Sequence, residues 1–242
     1  MEEHIQIDPA NHARRWVSYL DLLGFTDLIR TKGWIYIFSY YTQAIDDCIR
    51  VDGFKPRVEK TWFSDTFLLY SPDDTAPSFG AIEATTRWFV YSLVSHGIPV
   101  RGAMSCGDLY ADKQNNVFFG KALTEAYHYG ENQDWIGFVL SPSCVEQMAA
   151  VGLPANHRLN YAYWDVPYKR IDETHPQTLP AYIMGGSAEV NGRNACLDKL
   201  REMRARLKSS DYAAKYENAI SFIEANRREI VKGQPPAAPD RE

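Results

Sequence analysis

Two aspartates stand at positions where a folded chain fixes a side chain. Asp21 closes the apolar, aromatic run Arg15-Trp16-Val17-Ser18-Tyr19-Leu20 and is followed by Leu22-Leu23-Gly24-Phe25, which reads as a buried strand feeding a tight turn. Asp65 lies in Val58-Glu59-Lys60-Thr61-Trp62-Phe63-Ser64-Asp65-Thr66-Phe67-Leu68-Leu69-Tyr70, where Ser64-Asp65 is the tight-turn candidate, so it sits at the tip of a hairpin. If that hairpin pairs beside the first strand, two carboxylates come together, and their repulsion is relieved by a hard divalent cation such as magnesium or manganese. The same two residues also serve simply as turn formers in many proteins.

Cationic candidates for an anionic ligand are Lys169 and Arg170, after Val166-Pro167-Tyr168, and Lys113, in the loop before Val117. Arg101, inside an apolar strand, reads as structural. Cys48, Cys106, Cys144 and Cys196 are widely spaced and form no C-x-x-C pair, which argues for reduced thiols and against structural zinc.

The elements that must hold these groups follow from periodicity. Helical spacing of Ile35, Phe38, Tyr41, Ile45 and Ile49 follows the first turn, and Asp52-Gly53 closes that segment. A helix over Phe79 to His96 carries Ile82, Thr86, Phe89, Val90 and Leu93, and Gly97 with Pro99 ends it. Ile98 to Leu109 reads as a strand, Asn115-Asn116 as a turn into Val117-Phe118-Phe119, and Gly120 opens a helix to about Tyr129. Trp135 to Leu140 is a strand, Ser141-Pro142-Ser143 caps a short helix up to Ala150, and Tyr161 to Tyr168 and Leu179 to Met184 are further strands. The order predicts an α+β layered domain, with an antiparallel or mixed sheet and helices packed on one face. We expect this domain over residues 1–190, a two-helix C-terminal appendage over 191–232 and a disordered Pro-rich tail over 233–242.

The 242 residues, 45% of them hydrophobic, suit one sizeable core, and a formal charge of -5 gives no general attraction to nucleic acid or an anionic membrane. The N-terminus lacks the pattern of a signal peptide and no apolar stretch is long enough to span a bilayer, so a cytoplasmic location is expected.

Asp21-Leu22-Leu23-Gly24-Phe25-Thr26 resembles the first metal-binding motif of the class III adenylate and guanylate cyclases. Phe63-Ser64-Asp65 falls where that family has its second metal-binding aspartate, normally preceded by glycine, and Val100-Arg101-Gly102-Ala103-Met104-Ser105-Cys106-Gly107 resembles its next strand. The resemblance runs from about Val17 to Met184 and implies a ferredoxin-like class III cyclase core. It also implies two manganese or magnesium ions held by Asp21, Asp65 and the Leu22 carbonyl, and a triphosphate facing the backbone of Gly24, Phe25 and Thr26. Lys169 then matches a phosphate-binding lysine, and a homodimer with active sites at its interface is implied.

The departures matter as much. Base-recognition positions are occupied by Thr61 and Val117, which lack the polar groups that read a purine edge. The family's ribose-binding asparagine and transition-state arginine map onto Thr124 and His128, so Lys121 or Lys169 becomes a candidate for the missing charge. Trp62 and Phe63 are either core or a wall narrowing the site to a single-ring base. With Phe119-Gly120-Lys121-Ala122-Leu123-Thr124-Glu125-Ala126-Tyr127, these features resemble the pyrimidine cyclases of bacterial Pycsar antiphage systems, which implies conversion of UTP, or less readily CTP, to a cyclic messenger. The alternatives are a purine (adenylate) cyclase and a catalytically inactive nucleotide-binding module. A diguanylate cyclase or palm polymerase ranks last, because no Gly-Gly-Asp/Glu-Glu-Phe or Asp-Asp run occurs at the hairpin tip.

Overall fold

The run His12–Leu22 forms β1, whose alternation sends Trp16, Ser18, Leu20 and Leu22 to one side of a sheet and Val17, Tyr19 and Asp21 to the other. The computed structural model describes residues 8–50, 57–153, 160–169, 177–185, 194–207 and 210–226. After β1 come α1 (Phe25–Lys32), α2 (Trp34–Arg50), β2 (Glu59–Phe63), β3 (Thr66–Tyr70), α3 (Ala76–Ser95) and β4 (Val100–Asp112). They are followed by β5 (Val117–Phe119), α4 (Lys121–Asn132), β6 (Gly137–Leu140), α5 (Pro142–Ala150), β7 (Tyr161–Asp165), β8 (Thr178–Tyr182), α6 (Ala195–Arg206) and α7 (Ser210–Asn226).

The strands join in the order β2-β3-β1-β4-β6-β8-β7, with β5 extending from β4. β4 and β6 run parallel and the other pairs antiparallel, which makes the sheet mixed, as expected.

Helices cover both faces rather than one. The main core gathers Trp16, Leu20, Phe67 and Leu69 under α3, whose Ile82, Phe89, Val90 and Leu93 are buried. On the opposite face Val17, Tyr19, Leu68, Tyr70, Leu109 and Ala111 meet Ala122 and Ala126 of α4. The physical reason is that β1, β3 and β4 are apolar at both parities, so neither side can be left to water; each large side chain buried there contributes about 1.5–3 kcal/mol.

Several boundaries differ from expectation: β4 starts at Val100 and continues to Asp112, α4 continues to Asn132, β6 starts at Gly137, β8 ends at Tyr182, and the strand expected over Tyr161 to Tyr168 ends at Asp165, with Tyr168 bridging to Gln133. In α2 the helical spacing of Ile35 and Phe38 does not mark the buried face. Both are exposed, while Ile37 and Ala44 are buried.

Cys196, Leu197 and Leu200 of α6 and Phe222 and Ile223 of α7 join the main core, Phe222 lying 5.2 Å from the ring of Trp135 and 5.3 Å from that of Trp164. The expected boundary near residue 190, the Asp52-Gly53 turn, Arg170 and the tail over 233–242 lie outside the described residues, as do the side chains of Tyr41, Ile45 and Ile49. Among the described residues no helix is long and apolar enough to cross a membrane.

Candidate active site

Asp21 is flanked in the sheet by Thr66 of β3 and Arg101 of β4, directly opposite it on either side. Cross-strand partners share a face, so Arg101 points where Asp21 points. Its Nε and Nη2 donate to Asp21 Oδ2 at 3.1 and 2.9 Å, Nη2 also donates to Glu131 Oε2 at 2.6 Å, and Nη1 donates to the Gln133 carbonyl at 3.2 Å. Glu131 comes from the C-terminal end of α4, which lies close because Gly130 carries no side chain; a Cβ there would meet Tyr19 Cδ1 at 2.8 Å. Asp21 and Arg101 are 8% and 6% exposed, a buried ion pair with a second acid sharing the cation.

The second carboxylate arrives by turn geometry. Register pairs Phe63 with Thr66, so Ser64 and Asp65 make a two-residue hairpin turn with Ser64 at φ 57°. The Leu22 amide donates to the Asp65 carbonyl at 3.0 Å, which ties the tip of the hairpin to the end of β1 beside Asp21. Burial raises the pKa of Asp21 to about 6; Glu131 and Asp65 push the same way and Arg101 opposes them. A carboxylate so crowded by negative charge is stabilised by an added cation.

β1 leaves the sheet through Leu23, whose amide donates to the Pro99 carbonyl at 2.9 Å, and Gly24 then turns the chain at φ 69° into α1. No side chain caps α1 at Gly24, so the start of this helix presents backbone amides of its first turn. Asp21, Gly24, Arg101, Lys169 and Lys215 line one cleft of about 670 Å³. Lys169 is 3.6 Å from Glu131, and its pKa is lowered by burial and by Arg101.

No protein-family profile matches this sequence, and no curated protein does. Solved structures do match. The catalytic core of a rhodopsin-guanylyl cyclase with converted specificity, in complex with ATPαS, superposes with a TM-score of 0.51 at 12% identity, covering 71% of this chain and 96% of that one. The guanylyl cyclase Cya2 gives 0.51 at 11% identity, over 72% and 93% of the two chains. A dimeric guanylyl cyclase domain of the RhoGC fusion protein from the aquatic fungus Blastocladiella emersonii gives 0.50 at 14%, over 70% and 94%. The fold is that of class III nucleotidyl cyclase domains.

Within this cyclase fold the expected site residues divide into two groups. Asp21, Leu22, Gly24 and Lys169 border the cleft; Asp65 does not line it but is tied to Leu22 through its backbone carbonyl, Phe25 packs against the main core and Thr26 is exposed in the first turn of α1. Thr61 is half-buried on β2, opposite Leu68. Lys113, Val117 and Thr124 are elsewhere. β4 is 13 residues long, roughly 40 Å, with Arg101 second from one end and Val117 paired to Asp112 at the other. Lys113 there binds Glu59 at 2.7 Å, and the Thr124 hydroxyl donates to the Gly120 carbonyl at 3.1 Å. His128 lies against Tyr129 and near the Asn132 amide nitrogen, 3.4 Å from Nε2.

Trp62 and Phe63 are neither core nor walls of the cleft: they are 51% and 82% exposed, on the edge strand β2. Sequence reasoning set Arg101 aside as structural and missed Glu131 and Lys215. The signal for Arg101 was present, since an arginine inside a strand buried on both faces requires a carboxylate opposite it. Glu131 and Lys215 carry no local signal, because only the packing of α4 and α7 brings them here.

Among the described residues no three His, Cys, Asp or Glu side chains group as a metal centre. The expected donors, the carboxylates of Asp21 and Asp65 and the Leu22 carbonyl, are all hard oxygen, a chemistry that would suit magnesium or manganese and not a soft metal.

Proposed function

We propose that the protein is a pyrimidine nucleotide cyclase that converts UTP, in preference to CTP, to the 3′,5′-cyclic monophosphate and pyrophosphate. The observation that supports the cyclase reading is the Leu22 amide bond to the Asp65 carbonyl, which ties the hairpin tip to the end of β1 next to Asp21, itself a lining residue of a cleft that also holds Arg101, Lys169 and Lys215. The carboxylates of Asp21 and Asp65, with the Leu22 carbonyl, would hold two manganese or magnesium ions. When bound, these ions lower the pKa of the ribose 3′-hydroxyl and neutralise charge on the leaving pyrophosphate. The backbone from Gly24 to Thr26 faces the triphosphate at the start of α1, and Lys169 neutralises its outer oxygens.

Thr61 and Val117 provide no pair of polar groups for a purine edge, which supports a single-ring base; an infection messenger of the Pycsar kind follows from the sequence resemblance. Because Lys113, Val117 and Thr124 lie at the far end of β4 from Asp21, their participation requires a second copy of the chain. The exposed Phe63, Phe119 and Tyr127 support such a homodimer. The cyclase unit is taken to span residues 1–190.

A second reading, an inactive nucleotide-binding module, draws on Thr124 and His128 standing where the family has asparagine and arginine. Incubation of the purified protein with each of the four ribonucleoside triphosphates and manganese, with detection of cyclic product and pyrophosphate, separates the readings. Cyclic UMP is the expected product. ATP conversion alone refutes the pyrimidine assignment and keeps the cyclase one, and nucleotide binding without any product favours the module.

A further inference from the structure

The cleft beside Asp21 has a wall that the sheet and its nearby helices do not supply. Tyr212, Ala214 and Lys215 of α7 line it opposite Asp21 and Gly24. Lys215 is 17% exposed and its ammonium is bonded to the carboxylate of Asp134, which precedes β6.

That ion pair is not what docks α7. The Asp134 amide donates to the Pro167 carbonyl at 2.7 Å, and its carbonyl accepts from Asn218 of α7 at 3.3 Å, a second polar tie that does not involve Lys215. α7 is anchored by Ala219, Phe222 and Ile223, all buried. Lys215 thus extends toward the cleft from a helix already held in place.

Three cations, Arg101, Lys169 and Lys215, converge on this space. Lys169 is depressed chiefly by burial and also by the charges of Arg101 and Lys215, so these groups are near enough to repel one another. Arg101 is committed to Asp21 and Glu131, Lys169 lies 3.6 Å from the same Glu131, and Lys215 is bonded to Asp134 at the cleft. An anion with several oxygens would relieve the repulsion and could take both ammonium groups from their acids.

We propose that Lys215, carried to the cleft by α7, is a phosphate-binding residue that acts with Lys169 on the polyphosphate of the substrate. The inference rests on the triphosphate reading above and extends the site to an element C-terminal to the sheet.

Calorimetric titration of the full chain with inorganic tripolyphosphate and magnesium tests this. Lys215→Met is expected to weaken binding by about tenfold, the loss of one charge-assisted contact. Lys215→Arg should restore most of it, and Asp134→Asn, which releases the ammonium from its acid, should leave affinity equal or higher. Equal weakening by Lys215→Met and Asp134→Asn would mean that the pair only braces α7, and unchanged binding by Lys215→Met would mean that it does not touch phosphate; either overturns the proposal. Lys215-dependent tripolyphosphate binding without cyclic product from any nucleotide supports this inference while removing the cyclase reading. Cyclic product formed by Lys215→Met with unaltered KM removes the inference alone.

Discussion

Arg101 and Asp21 face each other across β4 and β1, and the guanidinium spends two of its N–H groups, at 3.1 and 2.9 Å, on the single oxygen Oδ2. Oδ1 stays outside this ion pair. The arginine therefore fixes the carboxylate in a buried strand without enclosing it, and its remaining bonds to Glu131 and the Gln133 carbonyl pin the end of α4 to the same point.

Removing that cation leaves the buried Asp21 without its counter-ion, beside the half-buried Glu131. Arg101→Met should destabilise the protein by about 3–5 kcal/mol in urea unfolding, the cost of breaking a buried pair from one side. Adding Asp21→Asn to it should recover part of the loss. A single variant as stable as the parent would show that the pair contributes nothing.

The titration of Asp21 gives a pH signature. Its folded pKa of about 6 lies above the unfolded value near 4, so the folded state holds the proton more tightly. The stability this confers is complete below about pH 4 and is lost as pH rises through 6. The stability of the metal-free parent relative to Asp21→Asn should therefore fall, on the order of 2 kcal/mol, between pH 4 and pH 6.5. Parallel denaturation curves for the two proteins across that range would contradict it.

Asp21→Ala and Asp65→Ala should each lower manganese-dependent formation of cyclic product by about a thousandfold or more while far-ultraviolet circular dichroism stays native. Full turnover by Asp65→Ala would dismiss the two-carboxylate site, whatever Asp21 does.

Ser64 occupies the left-handed region at φ 57°, where the cyclase motif ordinarily has glycine. Ser64→Gly should raise stability by about 1 kcal/mol through relief of that strain, offset in part by greater freedom of the unfolded chain, and Ser64→Val should lower it. The thermal midpoints of the two variants, falling on opposite sides of the parent, are the check.

The sequence by itself determined the local elements: the β1 run ending at Asp21, the hairpin tip at Ser64-Asp65, the Ser141 cap of α5 and the buried positions of α3 are all set by nearest-neighbour chemistry and short-range periodicity. Tertiary structure alone decided that α4 covers the second face, that Ile35 and Phe38 point to water, and that Arg101, Glu131 and Lys215 gather around Asp21. Those residues are separated by tens of positions in the chain, and a charge has no preferred partner until packing excludes water and leaves one counter-ion within reach. Periodicity carries information over a turn or a strand, whereas the pairing of buried charges is settled only when whole elements close on one another.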